Sequence, residues 1–135
     1  MDPASPEWTQ AFRRMSGRIE RALAAAPTTV ERAREVGRGE GGDMTVAIDE
    51  MAEDIVFEEL DALHAGGARF TAVSEERGEV DFGGAGGGPR VVIDPIDGSL
   101  NAKRALPHHA LSVAVADGGT VADVALGYVY DFGPQ

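Results

Sequence analysis

The spacing of apolar residues changes once along this chain, and that change fixes the order in which its elements can occur. Trp8, Phe12, Met15, Ile19, Leu23 and Ala26 recur at steps of four or three residues, which puts them on one face of a helix. Ser5, Pro6 and Glu7 ahead of them read as an N-cap, a first-turn proline and an acid matched to the helix dipole, and Pro27 ends the segment. Thr45 to His64 has a second helical pattern with Ile48, Met51, Ile55, Leu60 and Leu63 as its apolar stripe, and Gly66-Gly67 supplies the stop. Glu50, Glu53, Asp54, Glu58 and Glu59 are assigned to its other, solvated face. Beyond Gly67 the pattern is strand-like. Arg69 to Val73 and Arg90 to Ile93 are short β-rich runs separated by the Gly83 to Gly88 loop. Leu111 to Ala116 and Val121 to Tyr130 are two more, joined by Asp117-Gly118-Gly119-Thr120, the composition of a tight hairpin turn. The expectation is an α+β fold, with two N-terminal helices packed on a mainly antiparallel sheet.

A chain of 135 residues, 43% hydrophobic, buries one modest core, so residues 1–135 are read as a single domain. A net charge of -11 argues against nucleic acid or an anionic membrane as partner. Met1 to Glu7 has no basic or apolar signal character, and no later segment approaches the roughly 20 apolar residues of a membrane span. A soluble, cytoplasmic protein is expected. With no cysteine, any metal must be held through oxygen or histidine. Lys103 is the only lysine among the basic residues. This reflects either a coding bias towards arginine or an acidic surface suited to high salt, the latter preferred.

Chemistry concentrates in Val91-Val92-Ile93-Asp94-Pro95-Ile96-Asp97-Gly98-Ser99, where an apolar strand ends in an acid, proline imposes a bend and a second acid follows three positions on. Two carboxylates held close together stay ionised cheaply only around a cation, and an oxygen-preferring ion such as Mg²⁺ suits them. Gly98 and Ser99 offer backbone N–H groups and a hydroxyl to a phosphate oxygen. The plain alternative is an acidic β-turn. Two further acid sites favour the cation: Glu75 or Glu76 after the first strand, and Asp49 near the start of the second helix. The glycine-rich stretch Val36 to Asp43 before that helix cannot hold a helix or central strand, and reads as either a linker or a flap over a phosphate site.

Asp43-Met44-Thr45-Val46-Ala47-Ile48-Asp49, Ser74-Glu75-Glu76 and Asp94-Pro95-Ile96-Asp97-Gly98-Ser99-Leu100-Asn101, in that order, resemble the inositol monophosphatase family of lithium-sensitive, metal-dependent phosphatases, which includes fructose-1,6-bisphosphatases. The resemblance implies the N-terminal half of a layered αβαβα fold and Mg²⁺-dependent hydrolysis of inositol monophosphate or fructose 1,6-bisphosphate, with two or more ions. It implies that Glu75, Asp94 and the Ile96 carbonyl bind one Mg²⁺ and that Asp94 and Asp97 share a second. Asp49 and Ser99 would orient and activate the attacking water, and Gly98 and Ser99 would hold the phosphate.

Ser74 departs from the glycine usual in the family, and Ser99 replaces a common threonine but keeps its hydroxyl. The family's Trp-Asp-x-Ala-Ala-Gly motif, which lies in its second half, has no counterpart here; Asp123 mimics its tail and is read as structural. The chain is therefore expected to work as a homodimer or with a complementing C-terminal half, or else to be a non-catalytic metal-binding module. His108 and His109 are read as loop packing ahead of substrate contact, while Lys103 and Arg104 either steer an anion or form a solvated basic spot.

Overall fold

The computed structural model describes residues 1–25, 41–85, 87–98, 101–102 and 108–133, with the backbone alone over 41–47. Helix α1 spans Pro6–Ala24 and starts as its sequence dictates, with the Ser5 side chain accepting from the Glu7 N–H and proline in the first turn. Its buried face is Trp8, Ala11, Phe12, Met15, Ser16, Ile19 and Leu23, the expected stripe; Ala26 and Pro27 lie outside the described residues. Helix α2 spans Gly41–Ala65 and stops at Gly67, where φ is +108° and the Ala68 N–H donates to the Leu63 carbonyl at 3.1 Å. Arg14 and Arg18 tie α1 to Glu59 of α2 at 2.7 and 3.1 Å, and Arg18 also pairs with Glu58.

Five strands follow: β1 Phe70–Ser74, β2 Gly78–Phe82, β3 Arg90–Asp97, β4 Ala110–Ala116 and β5 Val124–Asp131, in sheet order β2-β1-β3-β4-β5. Every neighbouring pair is antiparallel except β1 and β3, which run parallel. Both helices pack on one face, where Trp8 meets Phe70 edge-on at 5.3 Å and Phe70 stacks on Phe82 at 4.7 Å. Ser16 and Tyr128 share a hydroxyl hydrogen bond of 2.9 Å between α1 and β5. On the opposite face, which no helix among the described residues covers, Val92 is 47% and Val129 70% exposed. No helix among the described residues is long and apolar enough to cross a membrane.

Several expectations need correction. Helix α2 begins at Gly41 rather than Thr45, so three residues assigned to the glycine loop are helical. Each glycine costs only about 1 kcal/mol in a helix, and a packed helix propagates backwards through such residues. Positions 36–40 lie outside the described residues. The buried face of α2 is Ala52, Glu53, Val56, Phe57 and Leu60, while Ile48, Met51, Ile55 and Leu63 are half-buried, so the face is rotated from the expected stripe and takes Glu53 inside. Strand β2 is absent from the sequence reading because Glu79 and Asp81 are poor strand formers; it survives at the sheet edge, where charges are tolerated. Strand β3 continues through Pro95 to Asp97 with a shift of register after Asp94, instead of ending at a bend. The β4–β5 connection is longer than a tight turn, because Val121–Asp123 is a short 3₁₀ helix.

Candidate functional site: an acidic cleft at two strand ends

Parallel pairing sets Ser74 beside Ile93, so the carboxyl ends of β1 and β3 coincide. Glu75 and Glu76 follow the first, and Asp94 and Asp97 close the second. Helix α2 presents Asp49 and, one turn later, Glu53 to the same place. Together with Pro95, Ile96 and Gly98 these residues line a cleft of about 200 Å³.

Gly98 is fixed by two constraints. Its φ is +85°, and a Cβ there would stand 2.5 Å from the His108 carbonyl oxygen. The Gly98 carbonyl accepts from the Asn101 and Ala102 N–H groups at 2.9 and 3.2 Å, and the Asn101 side chain donates to the His108 carbonyl at 3.0 Å. His108 itself has a φ of 66°, and these bonds hold the two backbone passages together.

The carboxylates crowd one another. Burial, followed by the negative charges of Glu76, Asp94, Glu75 and Glu53, pushes the Asp49 carboxyl up to about 6. Burial also raises Asp94, with Asp97 and Glu75 adding to the shift and a backbone hydrogen bond from Ile96 opposing it. Among the described residues, no three acidic or histidine side chains already converge as a ready-made metal site. The donors are all oxygen, the chemistry of a hard divalent cation, and Mg²⁺ keeps several of its waters and needs few direct carboxylates. The residues therefore fit such an ion.

Of the residues singled out in the sequence, Asp49, Glu75, Asp94, Ile96, Asp97 and Gly98 all line the cleft. Ser99, Lys103 and Arg104 lie outside the described residues. His109 is buried and stacks on Phe132, which fits a packing role. Asp123 accepts from the Thr120 N–H and hydroxyl at 2.8 and 2.7 Å, closing the turn before β5. Glu53, expected in solvent, is instead 3% exposed in the cleft wall. Its position four residues after Asp49 is the available signal, since that spacing shares a helical face.

Residues 8–132 match the inositol monophosphatase family. A fructose-1,6-bisphosphatase/inositol-1-monophosphatase of Archaeoglobus fulgidus is 34% identical over 119 residues, 88% of this chain and 43% of that protein. One of the same description from Methanothermobacter thermautotrophicus is 35% identical over 133 residues, 93% of this chain and 46% of that protein. Among solved structures, an extragenic suppressor from Pyrococcus furiosus superposes with a TM-score of 0.66 at 24% identity, covering 92% of this chain and 44% of that one, which bears on the fold alone. The chain thus spans less than half the length of the curated relatives it matches. With its motifs gathered at one cleft and nearly its whole length matched, the chain belongs to the inositol monophosphatase family.

Proposed function

We propose that this chain is the cation-binding part of a Mg²⁺-dependent phosphomonoesterase acting on a small sugar or polyol phosphate, with inositol monophosphate and fructose 1,6-bisphosphate as the first candidates. The carrying observation is that Asp49, Glu75, Asp94 and Asp97, from three separate segments, line one cleft beside Gly98. The names of the curated relatives support the substrate class.

In this reading Glu75, Asp94 and the Ile96 carbonyl hold one Mg²⁺, and Asp94 with Asp97 holds a second. Bound there, Mg²⁺ supplies neutralisation of the phosphate charge and a more acidic water. The protein's own part is to place groups around the reacting phosphorus. Asp49, with its raised affinity for a proton near neutrality, is suited to accept a proton from the attacking water, with Ser99 orienting it. Gly98 and Ser99 would hold the phosphate, and at Gly98 the left-handed backbone passes so close to the His108 carbonyl that only a residue without a Cβ fits. In this reading residues 1–135 are one partial domain that works as a homodimer or with a complementing C-terminal half. The exposed apolar Val92 and Val129 on the face opposite α1 and α2 support a covering partner.

Phosphate release from both candidate esters, with and without Mg²⁺, tests this in the full chain and in Asp94→Asn, alongside Mg²⁺ binding by calorimetry. Mg²⁺-dependent turnover abolished by the substitution supports the whole reading. Mg²⁺ binding lost in Asp94→Asn without turnover in either chain supports the cation site and assigns catalysis to the assembled protein. Absence of Mg²⁺ binding by the unsubstituted chain sinks the proposal.

A further inference from the structure

The β1–β2 turn carries Glu75 and Glu76 on a three-residue connection between paired Ser74 and Gly78. Like charges on the turn and on the acids beside it repel one another, so contacts that fix the turn act against that repulsion. Three observations identify the restraint.

The buried Ser74 hydroxyl donates to Glu53 Oε1 and accepts from the Arg77 N–H at 3.1 Å, bridging the start and end of the turn to helix α2. The Arg77 guanidinium returns to the same helix, 2.7 Å from Asp54 and 3.8 Å from Glu53, and lies over the buried Phe57 ring at 4.2 Å from its centroid. Glu53, Asp54 and Phe57 lie on α2 one to two turns beyond Asp49. Glu53 lines the acidic cleft, but the Ser74 hydroxyl and the guanidinium both engage its Oε1. That oxygen is committed to holding the turn.

We propose that Ser74, Glu53 and Arg77 form an anchor that positions Glu75 and Glu76 against Asp49 and Asp94, making Ser74 and Glu53 positioning residues of the cation site. The inference rests on the reading of the cleft as a Mg²⁺ site. A glycine at position 74 would make neither hydroxyl bond. Glu53 is therefore distinct from the carboxylates that face the ion: it acts through the turn.

The test uses the full chain and Mg²⁺ alone, with Asp94→Asn as the reference for a lost ligand. Loss of one hydrogen bond to a charged group corresponds to about tenfold in affinity, so Ser74→Ala is expected to weaken Mg²⁺ binding by about that factor. In the metal-free protein the same variant should speed hydrogen exchange of the Arg77 amide by about tenfold while amides of β4 exchange as before. Ser74→Thr, which keeps the hydroxyl, should restore both, a recovery that general loosening of the fold would not give. Glu53→Gln keeps an acceptor for Ser74 and should lose less affinity than Ser74→Ala. Unchanged Mg²⁺ affinity and Arg77 exchange in Ser74→Ala would overturn the anchor while leaving the cation site intact. Loss in Glu53→Gln as complete as in Asp94→Asn would overturn it too, because Glu53 would then be a ligand. If the unsubstituted chain binds no Mg²⁺, the reading of the cleft fails and the positioning role with it, whatever the exchange data show.

Discussion

Replacing Asp49 by asparagine should stabilise the metal-free protein at neutral pH and do nothing at low pH. The Asp49 carboxyl rises from its ordinary 3.8 to about 6 in the folded chain, because burial and then the charges of Glu76, Asp94, Glu75 and Glu53 disfavour its ionised form. The folded state therefore holds this proton more tightly than the unfolded state does. Between 3.8 and about 6 the folded state binds more protons, so stability falls as pH rises through that window, and the full cost is present above it. At about 1.4 kcal/mol per pH unit the cost would be about 3 kcal/mol. Asp49 is only half-buried, and solvent screening brings this to about 1–2 kcal/mol. An asparagine side chain keeps the shape of the carboxylate and carries no charge to repel. Urea unfolding with the metal removed by chelation, at about pH 7.5 and about pH 3, measures the difference directly. A gain of about 1–2 kcal/mol at the higher pH that vanishes at the lower is the expected result. A gain equal at both values, or a loss at the higher one, would refute the electrostatic account of this cleft.

Gly98→Ala should cost about 1–2 kcal/mol for the left-handed backbone and more for the 2.5 Å approach to the His108 carbonyl, read as a lowered urea midpoint, with weakened Mg²⁺ binding from the displaced loop. Mg²⁺ should raise the thermal midpoint at neutral pH, by about 2.7 kcal/mol of stability at about a hundred times its dissociation constant. The gain should shrink as pH falls through about 6 and protons compete for the carboxylates. Trp8→Ala should destabilise by about 3–5 kcal/mol, because its fully buried ring contacts both Phe12 and Phe70; an effect below about 1 kcal/mol would contradict the placement of α1 on the sheet. Tyr128→Phe should cost only about 1 kcal/mol, since the Ser16 hydroxyl keeps its bond to the Arg13 carbonyl at 3.1 Å.

Periodicity and local chemistry made α1 legible down to its cap, since Ser5, Pro6 and the stripe from Trp8 to Leu23 all act within a few turns of one helix. Glu75 was legible because it follows the end of β1, and Asp94 and Asp97 because they lie in the last residues of β3, where side chains leave a sheet; Asp49, two turns inside α2, stood out through its place in the motif. Helix α2 was harder: Ala52 carries too little apolar signal to mark a buried face, and Glu53 contradicts one until its partner Ser74, 21 positions away, is seen. Strand β2 owes its existence to pairing with β1 rather than to its own residues, so no local reading of Gly-Glu-Val-Asp-Phe would show it. The same holds for the 3₁₀ turn at Val121, whose shape depends on the Asp123 carboxylate reaching back to Thr120.

The single parallel pairing has a consequence for how the chain reaches its native state. The β1–β2 and β4–β5 pairings join strands that are neighbours in sequence, and β3 with β4 comes next, whereas β1 can meet β3 only after β2 has been turned outward. Closing the longer excursion last is the entropically reasonable order, since each early contact shortens the loop that remains. The acidic cleft, which needs this pairing, would then be completed late in folding. An ion that favours the finished cleft should accordingly slow unfolding far more than it hastens folding, which stopped-flow chevrons recorded with and without Mg²⁺ would reveal in the unfolding limb.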